Sequence, residues 1–165
     1  MKPYPKYKDS GVEWIGEVPE HWETVRLDHL VFVKARLGWK GLKASEYTQQ
    51  GYVFLATPNI KYTEIDYENI NYISEERYLE SPEIMLQSND VLLAKDGSTL
   101  GTVNIISKLP FPCTVNSSIA VLSSKTGKTN SIFFEILFIF RNNAAGYKYD
   151  KRRNGCSPFV SIRYK

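Results

Sequence analysis

The 165-residue chain has little to support metal or thiol chemistry: two cysteines, Cys113 and Cys156, and two histidines, His21 and His29. Two cysteines make no disulfide framework, and with so few other ligands they make no zinc site. No apolar run reaches the ~18 residues that a bilayer span needs. The longest, Ile132 to Phe140, is short and is broken by Glu135. The opening Met1-Lys2-Pro3-Tyr4-Pro5-Lys6 lacks the apolar stretch of a secretory signal. These gaps lead us to expect a cytoplasmic, reduced, metal-free protein with no membrane association. What is present, 42% hydrophobic and 24% charged residues, is ordinary for a globular protein, and the length suits one domain with its own core.

The motifs of several chemistries are missing as well. A DNA methyltransferase needs a glycine-rich cofactor loop and an Asn/Asp-Pro-Pro-aromatic tetrad. Thr57-Pro58-Asn59 and Ser157-Pro158-Phe159 each hold one proline in the wrong frame. A metal-dependent nuclease needs an acid-x-Lys pair to hold magnesium and place a base, and the chain has none. Ala94-Lys95-Asp96-Gly97 lacks the residue that a nucleotidyl-transfer lysine motif places between Lys and Asp, and reads better as a solvated turn. There is no Gly-x-x-x-x-Gly-Lys-Ser/Thr phosphate loop, and neither histidine has a partnered nucleophile at a recognisable spacing. The reading is a non-catalytic protein with no cofactor.

Charge is segregated rather than extreme. The net is only +3, yet Arg141 to Lys165 holds seven bases against Asp150, a net of +6. Lys34 to Lys61 holds five bases against Glu46, a net of +4. Tyr62 to Asp90 reverses this, with eight acids against Arg77, a net of −7. Such a division suits a protein with one face toward a polyanion and its acidic stretch turned away, toward a basic partner subunit. Plain solvated surface is the other reading.

Along the chain, Pro3, Pro5, Gly11, Gly16 and Pro19 predict an irregular arm over residues 1–23, pinned by Trp14, Ile15, Val18 and Trp22. Thr24 to Val33 reads as a strand or strand-helix pair, and Gly38 to Leu42 as a loop. One helical turn over Ser45 to Gln50 would end at Gly51. Tyr52 to Leu55, Ile70 to Ile73 and Ser118 to Leu122 are predicted strands, with Ser74 capping a short helix that has acids in its first turn. Asp90 to Ala94 and Thr102 to Ile106 flank a hairpin with glycine at both bends. Asn130 to Asn142 has a helical apolar stripe, and Phe134, Phe138 and Ile139 make that helix apolar on its second face too. Phe159 to Tyr164 reads as a terminal strand. The expectation is a single α+β domain over residues 1–165, with a twisted, mostly antiparallel sheet and a few helices.

The run Tyr7-Lys8-Asp9-Ser10-Gly11-Val12-Glu13-Trp14-Ile15-Gly16-Glu17-Val18-Pro19-Glu20-His21-Trp22-Glu23 closely resembles the N-terminal signature of type I restriction-modification specificity subunits. Arg36-x-Gly38-Trp39-Lys40-Gly41-Leu42 agrees with it, as do Asp90 to Ser98 with Gly101 and the Asn116 to Leu122 strand. The resemblance implies the first target recognition domain of such a subunit, reading one half of a bipartite site in double-stranded DNA. In that family two such domains are held apart by long helices. Modification subunits bind that scaffold and methylate adenine, and a separate restriction subunit translocates and cuts. The spacer helices and second domain are absent here, so the resemblance implies a fragment or half-subunit.

A sequence reader needs cations for phosphates and polar side chains for base edges. Lys40, Lys43, Lys148, Lys151, Arg152 and Arg153 suit phosphates, and Lys95, Ser98 and Thr99 sit at the predicted hairpin tip. Tyr149 joins Tyr147 and Lys148 in a basic-aromatic run. Trp39 is either core or a residue wedged against the DNA, and Arg36 either contacts DNA or holds its loop in shape. The competing function is an interaction fragment of the same complex, binding DNA negligibly and turning Phe134, Phe138 and Ile139 toward a protein partner.

Overall fold

The computed structural model describes residues 4–13, 15–36, 42–125 and 159–163, the last stretch by its backbone. The chain divides into two units, residues 1–31 with 149–165, and residues 32–148.

In the first unit, β1 (Tyr7–Asp9) and β2 (Glu17–Pro19) form an antiparallel hairpin in the register Tyr7↔Pro19, Lys8↔Val18 and Asp9↔Glu17. The expected irregular arm is therefore corrected to a strand pair. Its strands are only three residues long and β1 is exposed throughout, so no alternation of apolar and polar residues marks them. The intervening turn is local polar chemistry. The Gly11 N–H donates to the Asp9 carboxylate, the Val12 N–H donates to Ser10 Oγ, and the Ser10 N–H closes onto the Gly16 carbonyl at 2.9 Å. β3 (Trp22–Arg26) follows and pairs antiparallel with β11 (Phe159–Arg163), from Trp22↔Arg163 to Arg26↔Phe159. A single helical turn, α1 (Leu27–Leu30), buries Leu27.

The second unit is built on two sheets. β4 (Val31–Ala35), which opens at the unit boundary, lies at one edge of the order β4-β10-β7-β8. Here β7 is Val91–Ala94, β8 is Val103–Ile105 and β10 is Ile119–Ser124, and β7 is antiparallel to both neighbours. The other sheet has the order β6-β5-β9, with β6 (Asn71–Ile73) antiparallel and β9 (Cys113–Val115) parallel to β5 (Tyr52–Leu55). Between them lies the core. Val53 and Leu55, Cys113 and Val115, Leu92, and Ile119 and Val121 enter it from the strands, joined by Ile60, Ile84, Leu86 and Ile106. These are every second residue of their strands, as the two-residue period of β-structure requires. The residues between them are buried as well, since β7 is closed on both faces and Phe54 packs against Tyr47 at 5.6 Å between ring centroids.

Short elements complete this unit. The expected turn over Ser45 to Gln50 is a 3-10 turn over Ala44–Glu46. α2 (Glu75–Leu79) starts at Ser74, whose Oγ accepts the Arg77 N–H, with Glu75 and Glu76 in its first turn. A 3-10 turn over Pro82–Ile84 follows. Strands dominate and the described helices are short, so the α+β expectation holds. The expected helix over Asn130 to Asn142, with Phe134, Phe138 and Ile139, lies outside the described residues. None of the helices among the described residues is long and apolar enough to cross a membrane.

Asp90 departs from the solvated acidic stretch in which the sequence placed it. It is 3% exposed, accepts from Ser123 Oγ at 2.6 Å and from the Gln87 N–H at 2.8 Å, and burial pushes its carboxyl pKa up. Asp66 is held in the opposite sense. It accepts from the side chain and N–H of Asn69, from Lys61 Nζ and from the Glu68 N–H, which keep its carboxyl well below the usual range. Both carboxylates brace loops.

Candidate nucleic-acid interface

One end of the second unit gathers polar segments that are far apart in sequence. β7 runs out at Ala94, and the Lys95 N–H donates to the Ser118 carbonyl at 2.9 Å. β5 runs out at Leu55, whose carbonyl accepts the Asn116 N–H at 3.0 Å. The β7–β8 tip (95–101), the β9–β10 turn (116–118) and the turn after β5 (Ala56 to Asn59) therefore form one rim. Its shape follows from local bonding. Ser118 N–H donates to Asn116 Oδ1 at 3.1 Å, an Asx turn, and Gly97 and Gly101 take φ of 80° and 85° where the tip reverses. Asn59 is buried and fully used, accepting from the Ala56 N–H and donating to the carbonyls of Asp66 and Asn69.

Three residues expected at a DNA surface are exposed: Lys43, Lys95 and Ser98. Lys95 ion-pairs with Asp96 at 3.7 Å, with their side chains 42% and 54% exposed. An exposed pair of this kind is worth only about 0–1 kcal/mol and exchanges readily for a phosphate. Lys43 has no ion pair among the described residues, and its N–H donates to the Glu46 carboxylate at 2.8 Å.

Two expectations are corrected. Arg36 is 3% exposed and donates to Val115 O at 3.3 Å, Ser81 Oγ at 3.2 Å and Thr114 Oγ1 at 3.4 Å. Burial, and after it the nearby charge of Arg77, lower its pKa, while Glu80 and Glu83 oppose the shift. Such a guanidinium has no open face for DNA; it ties the end of β4 to Ser81, Thr114 and Val115. Thr99 is half-buried with its hydroxyl enclosed and its carbonyl accepting the Thr102 N–H, so its side chain faces inward. Trp39, Lys40, Lys148, Tyr149, Lys151, Arg152 and Arg153 lie outside the described residues.

The rim also contains residues that the sequence reading passed over. Thr57, Asn116, Ser117 and Ser118 are half-buried at strand ends, and all are hydrogen-bonding types suited to base edges or phosphates. For Asn116, Ser117 and Ser118 the local sequence signal is a short polar break between two apolar runs. Nothing at the rim resembles a catalytic centre. Cys113 lies in the core with its thiol pushed up to about 12 by burial, and among the described residues no group of His, Cys, Asp and Glu could hold a metal.

Residues 19–154 match a family model described as the type I restriction modification DNA specificity domain. The type I restriction enzyme MjaVIII specificity subunit of Methanocaldococcus jannaschii is 26% identical over 128 residues, covering 76% of this chain and 29% of the relative. Among solved structures, the HsdS subunit from Thermoanaerobacter tengcongensis superposes with a TM-score of 0.62 at 14% identity, covering 94% of this chain and 36% of that one. The type I restriction-modification S subunit from M. genitalium gives 0.53 at 11% identity, covering 87% and 35%. The chain thus spans about a third of the length of the relatives it matches. Since the family model takes in most of the sequence, including every segment of the rim, the chain belongs to the type I restriction modification DNA specificity domain family.

Proposed function

We propose that this chain is a target recognition domain, spanning residues 1–165, that reads one half of a bipartite site in double-stranded DNA. It directs the modification subunits, and through them the restriction subunit, of a type I restriction-modification complex in the cytoplasm. It is a recognition module with no reaction or cofactor of its own. The observation that carries this reading is the family match over residues 19–154, which encloses the rim at the strand ends. The rim supports it by its chemistry. Lys95 there suits a phosphate, which fixes register, while Ser98, Asn116, Ser117 and Ser118 suit base edges, which carry identity; the exposed Lys43 suits a phosphate as well. A good bidentate base contact discriminates by about 1–3 kcal/mol, so a few residues at such a rim suffice for a half-site.

The test is a genome-wide map of methylation by the complete complex built on the full-length subunit. Residues 1–165 are first native and then exchanged for the corresponding domain of another family member. The expected result is that one half of the methylated site changes and the other half stays. Methylation at an unchanged site would overturn the reading and leave the domain as scaffold.

A further inference from the structure

We propose that Asn116 is a specificity-determining residue that reads a keto base, guanine or thymine, in the major groove of the half-site. This deepens the reading of the chain as a DNA-reading module and rests on it.

Most polar side chains of the rim do not commit to one kind of base. The hydroxyls of Ser98, Ser117 and Ser118 can turn either to donate or to accept. Lys95 is a point charge paired with Asp96 and suits a phosphate. Asn59 is spent on the Ala56 N–H and on the carbonyls of Asp66 and Asn69.

Asn116 differs because its turn fixes its sense. The Ser118 N–H donates to Asn116 Oδ1 at 3.1 Å. A backbone N–H only donates, so the amide atom that faces it is the oxygen. The amide NH2 is left without a hydrogen-bond partner among the described residues. The backbone of the turn is tied on three sides: Asn116 N–H to Leu55 O at 3.0 Å, Lys95 N–H to Ser118 O at 2.9 Å, and Ile119 N–H to Asn116 O at 3.3 Å. The half-buried side chain is thus a donor carried on a fixed platform where β5 and β7 end.

An amide grips adenine by setting an acceptor beside a donor. With its oxygen committed to the turn, Asn116 offers the donor alone. In the major groove guanine O6 and thymine O4 accept, whereas adenine N6 and cytosine N4 donate. Purine N7 accepts in guanine and adenine alike, so the choice is made at the exocyclic group. A donor held there selects the keto base.

Asn116→Asp isolates that sense. A carboxylate oxygen still accepts the Ser118 N–H and keeps the turn, but the free group becomes an acceptor. The complete complex built on the full-length subunit methylates duplexes carrying the native site, or each alternative base at each position of this domain's half-site. Ratios of kcat/KM between duplexes cancel any general loss caused by the added negative charge. We expect one position at which the native complex favours guanine or thymine over adenine and cytosine by about fivefold or more. At that position alone, Asn116→Asp should move the ratio toward the amino bases by at least the same factor. If Asn116→Asp methylates no duplex, Asn116→Ser carries the test: its hydroxyl keeps the turn without the reach of the amide, and should flatten the preference. Unchanged ratios in the variant that methylates overturn the proposal, as does a shift confined to positions where the native base is adenine or cytosine. Inactivity of both variants also overturns it and marks Asn116 as structural. Exchange of residues 1–165 separates the two claims. If the exchange moves the half-site while these ratios hold, this inference alone falls; if the site does not move, the DNA-reading function falls and this inference with it.

Discussion

Replacing Gly51 by alanine tests the packing of the second sheet at a single atom. Gly51 opens β5 at a φ of 143°, and an added Cβ would sit 2.4 Å from the carbonyl oxygen of Ile73 and 3.5 Å from Thr48 Oγ1. Ile73 is fully buried on β6, paired with Tyr52, and Thr48 bonds to Tyr72 beside it at 2.9 Å. The obstructing atom is thus backbone inside a hydrogen-bonded ladder, with no side chain to swing aside. A side chain forced into a sparse φ costs about 1–3 kcal/mol, and overpacking a closed site adds about 1–3 kcal/mol. The expected loss is therefore roughly 2–6 kcal/mol, a large part of the ~5–15 kcal/mol that holds a domain together. Gly97 is the internal control. Its φ is 80°, but nothing lies within 4 Å of the added Cβ, so Gly97→Ala should lose only the backbone term. Urea midpoints with a fixed slope, read by circular dichroism, give both values. Equal losses at the two glycines would refute the close approach at Ile73, and a stabilised Gly51→Ala would refute the whole argument.

Other perturbations read single groups. Lys95→Ala should flatten the log–log salt dependence of duplex binding by about 0.9 if its ammonium takes one phosphate; an unchanged slope would remove it from the interface. The Asp66 carboxyl has a lower pKa in the folded chain than its ordinary 3.8, so its contribution is fully present above about pH 4 and is lost as the pH falls toward the folded value. Asp66→Asn should therefore lower urea stability at pH 6 and narrow the difference from wild type as acid is added; a constant difference across pH would contradict this. Cys113, with its thiol pushed up to about 12 and its side chain in the core, should resist alkylation at pH 8 until the protein unfolds. Mass mapping of the labelled peptide locates the modification, and rapid labelling of the native chain at Cys113 would place the thiol at the surface.

The elements legible in the sequence were those whose signals are local. Val91 to Ala94 and Val103 to Ile105 are apolar runs separated by a glycine-bracketed polar stretch, so the hairpin announced itself. Ser74 with acids behind it announced α2. β9 did not, because Cys113–Val115 is three residues long, follows Pro112, and joins β5 in parallel through a connection that leaves no periodic mark. Nor did the faces of the core strands: β7 is buried on both sides, so alternation vanishes from the sequence while still deciding which residues meet. Gly51 was noticed as a helix terminator, whereas its freedom serves a close approach to Ile73.

The site divided along the same line. Lys95 and Ser98 could be placed at a tip from their neighbours alone. Their company could not, because residues 55, 95 and 116 become adjacent only through the pairing of β5 with β9 and of β7 with β10. Arg36 shows the limit most sharply. Its charge and its place beside a glycine-rich loop both read as surface, and only the fold reveals that Val115, Ser81 and Thr114 enclose it. A side chain that would contact DNA directly can usually be replaced by a neighbour of like charge. One that joins buried strand and turn ends depends on its planar fork, so Arg36→Lys should be harmful here, although it would be mild at an exposed phosphate contact.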